Sequence, residues 1–308
     1  MNLSNITRIR RLFKWVYTYI PKGALVLEVG SGDKPFMRSD VLCDKYWHDN
    51  TERGGILFAD RPCVIGALEE LPFKSNSFDF IICHNLLEHV EDPAICMEEL
   101  MRVGRSGSIR TPSALAEKLL GPVYHRWLIS LEGGKLIFRR KESPVFDLEI
   151  KGFMKEKFLA DGRYQKFFKT FRDDLEIQLI WDRKIPYQIH REESSGHATQ
   201  FTVASLTDPC NSHLYPKNHS MLTWKKKAMS LASGIVRRLH GARRVNLDAL
   251  LACPVCKSDV LHVDEGLSCR KCRVLYPMRN AIPIMLREAA HPWETNIGPK
   301  IGQTGSDV

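Results

Sequence analysis

Two Cys-x-x-Cys knuckles, Cys253-Pro254-Val255-Cys256 and Cys269-Arg270-Lys271-Cys272, stand twelve residues apart in the last quarter of the chain. No other spacing in the sequence restricts the local fold so tightly. Thiolate pairs on two tight turns can converge on one tetrahedral centre, the arrangement of a closed structural zinc site. A redox role for either pair is the competing reading, and the paired spacing favours zinc. With four protein ligands the metal has no open position, so Cys253, Cys256, Cys269 and Cys272 are expected to hold Zn2+ for folding and not for catalysis. The other cysteines (Cys43, Cys63, Cys83, Cys96 and Cys210) are scattered and read as small buried hydrophobes of a reducing compartment.

A chain of 308 residues has room for a large domain beside such a ribbon. No window reaches the roughly 18 consecutive apolar residues of a spanning helix. Lys14 interrupts the N-terminal apolar stretch and no small-residue cleavage site follows, so neither a membrane span nor a secretory signal is expected. The expectation is a cytoplasmic protein, peripheral to a membrane if its basic segment meets one.

That segment accounts for the charge. The formal net charge is +9, and no acidic residue lies between Asp208 and Asp248, where Lys217, Lys225, Lys226, Lys227, Arg237, Arg238, Arg243 and Arg244 fall. Within it, residues 217–239 carry an apolar stripe at helical spacing: Met221, Trp224, Ala228, Leu231, Ile235 and Leu239. Unopposed cations beside an apolar stripe (217–244) suit an anionic membrane surface, RNA, or an acidic face of the same protein. A solvated linker helix packed on the zinc module is the plainer alternative.

Short apolar runs at 24–30, 40–43, 63–65, 78–83 and 108–111 read as buried parallel strands, with a helix over 93–102 behind Pro93. Strands alternating with helical segments imply an α/β Rossmann-like sheet with helices on both faces. A hairpin is expected around Glu132-Gly133-Gly134, and a late pair, 175–181 and 185–189, is expected to complete the sheet edge. The expected divisions are 1–212 for the large domain, with an N-terminal helix over 2–20 and a substrate-facing insertion over about 113–171. A basic amphipathic linker helix (213–246), a zinc-ribbon-like domain (247–288) and a loose tail (289–308) follow.

Within the large domain, Glu28-Val29-Gly30-Ser31-Gly32 sits where the first strand should turn into a helix. Gly30 and Gly32 let the backbone approach a ligand closely. A dinucleotide fingerprint would require a third glycine where Pro35 stands and an acidic ribose partner about 20 residues on. Here the acidic residue is Asp44, twelve after Gly32. Glu28 beside the loop would repel a pyrophosphate and favour a cation. A ligand with a positive centre, no phosphates and a ribose fits, and S-adenosylmethionine is such a ligand.

This glycine run, with Leu71-Pro72-Phe73-Lys74-Ser75-Asn76-Ser77-Phe78-Asp79 and Leu86-Leu87-Glu88-His89, resembles the class I S-adenosylmethionine-dependent methyltransferases of the type 11 group over residues 23–113. The resemblance implies that Glu28, Gly30, Ser31 and Gly32 line the methionine end of the cofactor and Asp44 holds its ribose. It places Leu68 against adenine, with His84 and Asn85 near the sulfonium. Ala67 departs from it, since many relatives carry an acidic residue there for the adenine amino group. His89 is the leading candidate for a general base, because its ordinary pKa lies near working pH. His84 is a weaker candidate, His125 a third, and Glu88 reads as an orienting partner. His84-Asn85-Leu86-Leu87 replaces the Asn-Pro-Pro-aromatic motif of relatives that methylate nucleobase or glutamine amines. The expected acceptor is therefore a small molecule, lipid or glycan, with an RNA methyltransferase and a non-catalytic scaffold as the alternatives.

The zinc segment, with Leu275-Tyr276-Pro277 and Ile282-Pro283-Ile284-Met285-Leu286, resembles the small zinc-binding activator protein of tRNA, ribosomal RNA and release-factor methyltransferases. That resemblance implies a stabilising or docking module acting in cis.

Overall fold

The computed structural model describes residues 19–47, 55–122, 124–141, 163–190, 219–242 and 244–293. The expected N-terminal helix lies outside them but for its last residues, as do residues 142–162 of the expected insertion and the final residues from 294.

Four parallel strands follow from the apolar runs: β1 (Val26–Val29), β2 (Val41–Asp44), β3 (Cys63–Ile65) and β4 (Phe78–His84). β5 (Gly104–Pro112) adds a fifth, and β1 and β2, central in the sheet, are buried along their whole length, as is the edge strand β3. The order is β3-β2-β1-β4-β5-β8, with β8 (Glu176–Asp182) antiparallel to β5.

Helix α1 (Pro93–Val103) forms the β4-to-β5 crossover. Asp92 caps it by accepting from the Ala94 amide at 2.8 Å, and Pro93 occupies the first turn. Its buried face is Cys96, Met97, Leu100 and Val103. Each of the larger side chains contributes about 1.5–3 kcal/mol by leaving water. They join Leu27, Phe73, Phe78 and Ile81 in a core that runs on through Leu251, Tyr276 and Met285 of the zinc module. The opposite sheet face, Val26, Phe80 and Ile82, is covered by Ile20, Ala24 and Phe36.

Helix α2 (Ala114–Leu120) follows β5, capped by Ser113, and the hairpin β6 (Trp127–Glu132) and β7 (Lys135–Arg140) turns through Gly133-Gly134 as expected. Helices α3 (Arg163–Thr170) and α4 (Arg172–Leu175) lead into β8. The late pair is corrected in part. β8 closes the main sheet, but β9 (Tyr187–His190) pairs in parallel with β7 in a separate three-stranded sheet. The bend Asp182-Arg183-Lys184 is the reason, because Arg183 takes a left-handed φ of 60° and donates to the Arg105 carbonyl, steering the chain off the edge.

The glycine loop brings a second correction. Residues 30–40 between β1 and β2 contain no helix, and Arg38 and Arg61 hold them instead. Arg38 is fully buried and donates to Asp40 and the Ala24 carbonyl, while Arg61 donates to the Phe36 and Ser39 carbonyls. Eleven residues carrying Pro35 are short for a helix between two turns.

The basic helix α5 (His219–Leu239) packs on this loop. Ser233, fully buried, donates to the Met37 carbonyl at 2.9 Å, and Lys226 lies 5.4 Å over the Phe58 ring. No described helix is long and apolar enough to cross a membrane.

A short helix, α6 (Leu247–Leu250), opens the zinc module, whose strands are β10 (Leu261–Val263), β11 (Gly266–Cys269), β12 (Val274–Arg279), β13 (Ile282–Pro283) and β14 (His291–Pro292). β14 pairs with β12, and the Trp293 amide donates to the Arg273 carbonyl. The ordered module therefore runs past the expected start of the tail at 289, because an edge strand was open for pairing.

Candidate active site and metal centre

Both loop glycines adopt left-handed backbone, Gly30 at φ 73° and Gly32 at φ 57°. A Cβ on Gly30 would sit 3.0 Å from Leu86 Cδ2, so the loop closes onto the turn after β4. The Gly30 amide donates to the Cys43 carbonyl at 2.8 Å, and the Gly32 amide donates to Asp44 Oδ2 at 2.8 Å. The acid ending β2 is thereby fixed beside the loop. Without a helix at this point no helix dipole assists a phosphate, which agrees with a ligand lacking pyrophosphate.

Glu28 is buried and accepts from the Phe36 amide at 2.8 Å and the Ser39 hydroxyl at 2.6 Å. Burial pushes its carboxyl up to about 7, against the lowering effect of those hydrogen bonds. Ser31 is buried with its Oγ unpaired among the described residues. A hydroxyl in that state is a ready partner for a polar ligand group.

These residues form one wall of a cavity of about 650 Å³. Leu68, Glu69, His84, Asn85, His89, Arg110 and Arg126 line the same cavity. Every expected cofactor-binding residue, Glu28, Gly30, Ser31, Gly32, Asp44, Leu68, His84 and Asn85, thus faces one space. The volume and the mixed polar lining fit S-adenosylmethionine. Ala67 precedes the short 3-10 turn Leu68–Glu70, so no carboxylate stands at its position. Glu69, two residues later, lines the cavity instead. The sequence reading passed over Glu69, Tyr46, Arg110 and Arg126, although Tyr46 two residues after Asp44 was an available signal.

The two catalytic candidates differ. His84 Nε2 lies 3.0 Å from the Ser108 hydroxyl, and burial, with Arg110 and Arg172 nearby, pushes its pKa down to about 3. His89 lies at the cavity wall, 4.4 Å from the His125 ring and stacked at 5.7 Å on Tyr124. His125 Nδ1 is 2.6 Å from Glu117 Oε1, and Lys141 lies 3.5 Å from the other carboxylate oxygen. Glu88, buried beneath, accepts from the Thr111 hydroxyl at 3.0 Å, and burial raises its pKa. Ligand atoms of Glu88, His89 and His125 fall within 4.8 Å of one another.

In the zinc module the four thiols converge. Cys253 and Cys272 sulfurs are 3.8 Å apart and those of Cys256 and Cys269 are 3.4 Å apart. Sulfurs on a tetrahedral zinc with bonds of about 2.3 Å stand roughly 3.8 Å apart, so the set fits the ion. The Tyr276 hydroxyl lies 3.3 Å from Cys253 Sγ.

The module clasps the segment that carries Leu68. The Met285 amide donates to the Ile65 carbonyl, the Ala252 amide to the Pro72 carbonyl, and the Lys74 amide to the Leu250 carbonyl. Lys257 Nζ lies 2.8 Å from Glu99, which also holds Arg102, and Arg287 pairs with Glu70.

Comparison with known proteins agrees with this division. Residues 42–110 match the family described as a methyltransferase domain, and residues 247–280 match the Trm112p-like proteins. A UPF0434 protein of Nitrosococcus oceani is 47% identical over 47 residues, 15% of this chain and 80% of that protein. An uncharacterised protein of Methanocaldococcus jannaschii is 35% identical over 111 residues, 34% of this chain, and the match spans about half (52%) of its length. The crystal structure of an S-adenosylmethionine-dependent methyltransferase from Mesorhizobium loti is similar at 15% identity with a TM-score of 0.28, covering 49% of this chain and 70% of that one. Through its zinc module the chain belongs to the UPF0434, Trm112p-like family, and it joins that module to a segment that matches the methyltransferase-domain family.

Proposed function

We propose that the protein transfers a methyl group from S-adenosylmethionine to a small-molecule, lipid or glycan acceptor, with the zinc module acting as a stabilising clamp in cis. The observation that carries this reading is the one cavity lined together by Glu28, Ser31, Asp44, His84, Asn85 and His89. Bound there, the cofactor supplies an electrophilic methyl group on a sulfonium. Asp44 accepts the ribose hydroxyls, Glu28 offers negative charge to the cationic end, and the glycine loop gives backbone access. Leu68 packs on the adenine, and Glu69 stands where it can accept from the exocyclic amine in place of Ala67.

Methyl transfer is an in-line displacement, so the protein must chiefly align the acceptor and receive its proton. His89 takes that proton, and His125, steadied by Glu117, shares the charge that results. His84, held neutral and bonded to Ser108, positions and does not accept. The test is calorimetric titration of zinc-loaded protein with S-adenosylmethionine, comparing wild type with Gly30→Arg and Asp44→Ala, followed by radiolabelled methyl transfer into a lipid extract. Binding lost in both variants is expected; no binding by folded wild type overturns the reading. His89→Gln should then lower methyl transfer about 10²-fold while leaving cofactor affinity near wild type.

A further inference from the structure

Helix α5 inverts the usual rule that an amphipathic helix turns its apolar stripe to the core. Its inward face is Lys226, Ser233 and Arg237, packed on the loop through Phe58 and Met37. Its outward face is apolar: Trp224 is 59% exposed, Leu231 70%, Ile235 54% and Leu239 74%. Ala228 is exposed among them, and Lys227 and Arg238, also exposed, stand beside the stripe. The stripe read from the sequence is therefore real, but the chain presents it outward.

We propose that this face binds an anionic membrane surface and holds the methyltransferase domain against it. Four large side chains on a single ridge form no groove for a peptide and offer nothing to a phosphate backbone, whereas a lipid interface accepts both the ridge and its cationic flanks. A helix of 21 residues lies about 31 Å along such a surface. The acid-free stretch between Asp208 and Asp248 leaves no carboxylate on the segment to be repelled by anionic headgroups. The inward contacts place the cavity nearby, since the Phe58 amide donates to the Gly32 carbonyl at 3.0 Å. Resting on the proposed methyl transfer, this favours an acceptor carried at the membrane, a lipid or lipid-linked molecule, over a freely diffusing one.

The test is flotation of the zinc-loaded full chain with vesicles of phosphatidylcholine alone or mixed with phosphatidylglycerol, together with the Leu231→Asp/Ile235→Asp and Lys227→Glu/Arg238→Glu variants. All four positions are exposed, and unchanged zinc content and cofactor affinity certify the fold. Expected is binding to anionic vesicles at least about tenfold tighter than to neutral ones, weakened by salt and lost by about tenfold or more in each variant. Wild type left unbound by anionic vesicles overturns the proposal. So does apolar-variant binding equal to wild type, a wild-type dimer that the apolar variant dissociates, or RNA binding equal in wild type and the apolar variant without vesicle binding. Cofactor titration without lipid separates the two readings, because vesicle binding can fail while cofactor binding stands, and the reverse.

Discussion

The Met285 amide donates to the Ile65 carbonyl at 2.7 Å, so the chain leaving β13 of the zinc module completes the hydrogen bonding of edge strand β3. Ile65 is followed at once by Gly66, Ala67 and then Leu68, the residue expected to meet adenine. On the far side of that segment the Ala252 amide donates to the Pro72 carbonyl at 3.0 Å. The segment that carries Leu68 is thus held at both ends by residues of the zinc module.

Zinc removal should therefore act at a distance. Stripping the metal with a chelator, or Cys256→Ser, unfolds a ribbon whose folding free energy is largely metal-binding free energy. Segment 66–73 then loses its clamps, and the shared core loses Leu251, Tyr276 and Met285. The expected result is at least a tenfold loss of S-adenosylmethionine affinity and a lower thermal midpoint, read by calorimetry and restored by added Zn2+. Stripped protein that binds cofactor as tightly as loaded protein would contradict this coupling.

Glu28 gives cofactor binding a pH dependence of definite sign. Its carboxyl is raised from 4.5 to about 7 in the folded chain, chiefly by burial. The folded state thus holds a proton that the unfolded state has released. The stability this group contributes is complete below about pH 4.5 and is lost as pH rises through about 7. A sulfonium favours the ionised carboxylate, so binding should release a proton at pH 6 and affinity should climb between pH 6 and 8 before levelling. Titrations in buffers of different ionisation enthalpy measure that proton, and Glu28→Gln should abolish both its release and the pH slope.

Glu99 is the hinge of the contact between α1 and the zinc module. It accepts from Arg102 at 2.6 Å and from Lys257 at 2.8 Å, while Arg102 also donates to the Leu71 and Phe73 carbonyls. Burial acts to raise its carboxyl, but the hydrogen bonds from both cations hold it below the ordinary value. Its stabilising contribution is present above the usual carboxylate range and is lost as pH falls through the lowered folded value. Glu99→Ala leaves two half-buried cations without their carboxylate and should cost about 2–3 kcal/mol in denaturant unfolding. Exposed Glu132 on the β6-β7 hairpin pairs with Arg139 in solvent, and its substitution serves as the near-neutral control.

What the sequence disclosed follows from how local each signal is. The strands over 26–29, 41–44, 63–65 and 78–84 were visible because a doubly covered parallel strand must be apolar throughout. The four zinc ligands were visible because their spacing alone brings the sulfurs together. Partners distant in sequence were not visible. β9 leaves the main sheet because of a left-handed Arg183, β14 finds an edge left open by β12, and the orientation of α5 depends on what Met37 and Phe58 offer its polar side. Glu69 reaches the cavity only because residues 68–70 wind into a 3-10 turn, which no local spacing in the sequence announces.

Ser31 separates a binding role from a structural one. Its side chain is buried beside the glycine loop and its Oγ finds no partner among the described residues. Such a hydroxyl costs stability on the order of 1 kcal/mol unless a ligand satisfies it. Ser31→Ala should therefore leave the cofactor-free protein as stable as wild type or slightly more so, since a methyl group needs no partner. The same variant should bind S-adenosylmethionine about three- to tenfold more weakly, the loss of one neutral hydrogen bond. Thermal melting with and without cofactor reads both effects in one experiment: the variant should melt no lower than wild type alone, yet gain less on adding cofactor. A variant destabilised without ligand and equally stabilised by it would show that Ser31 serves the loop and not the cofactor.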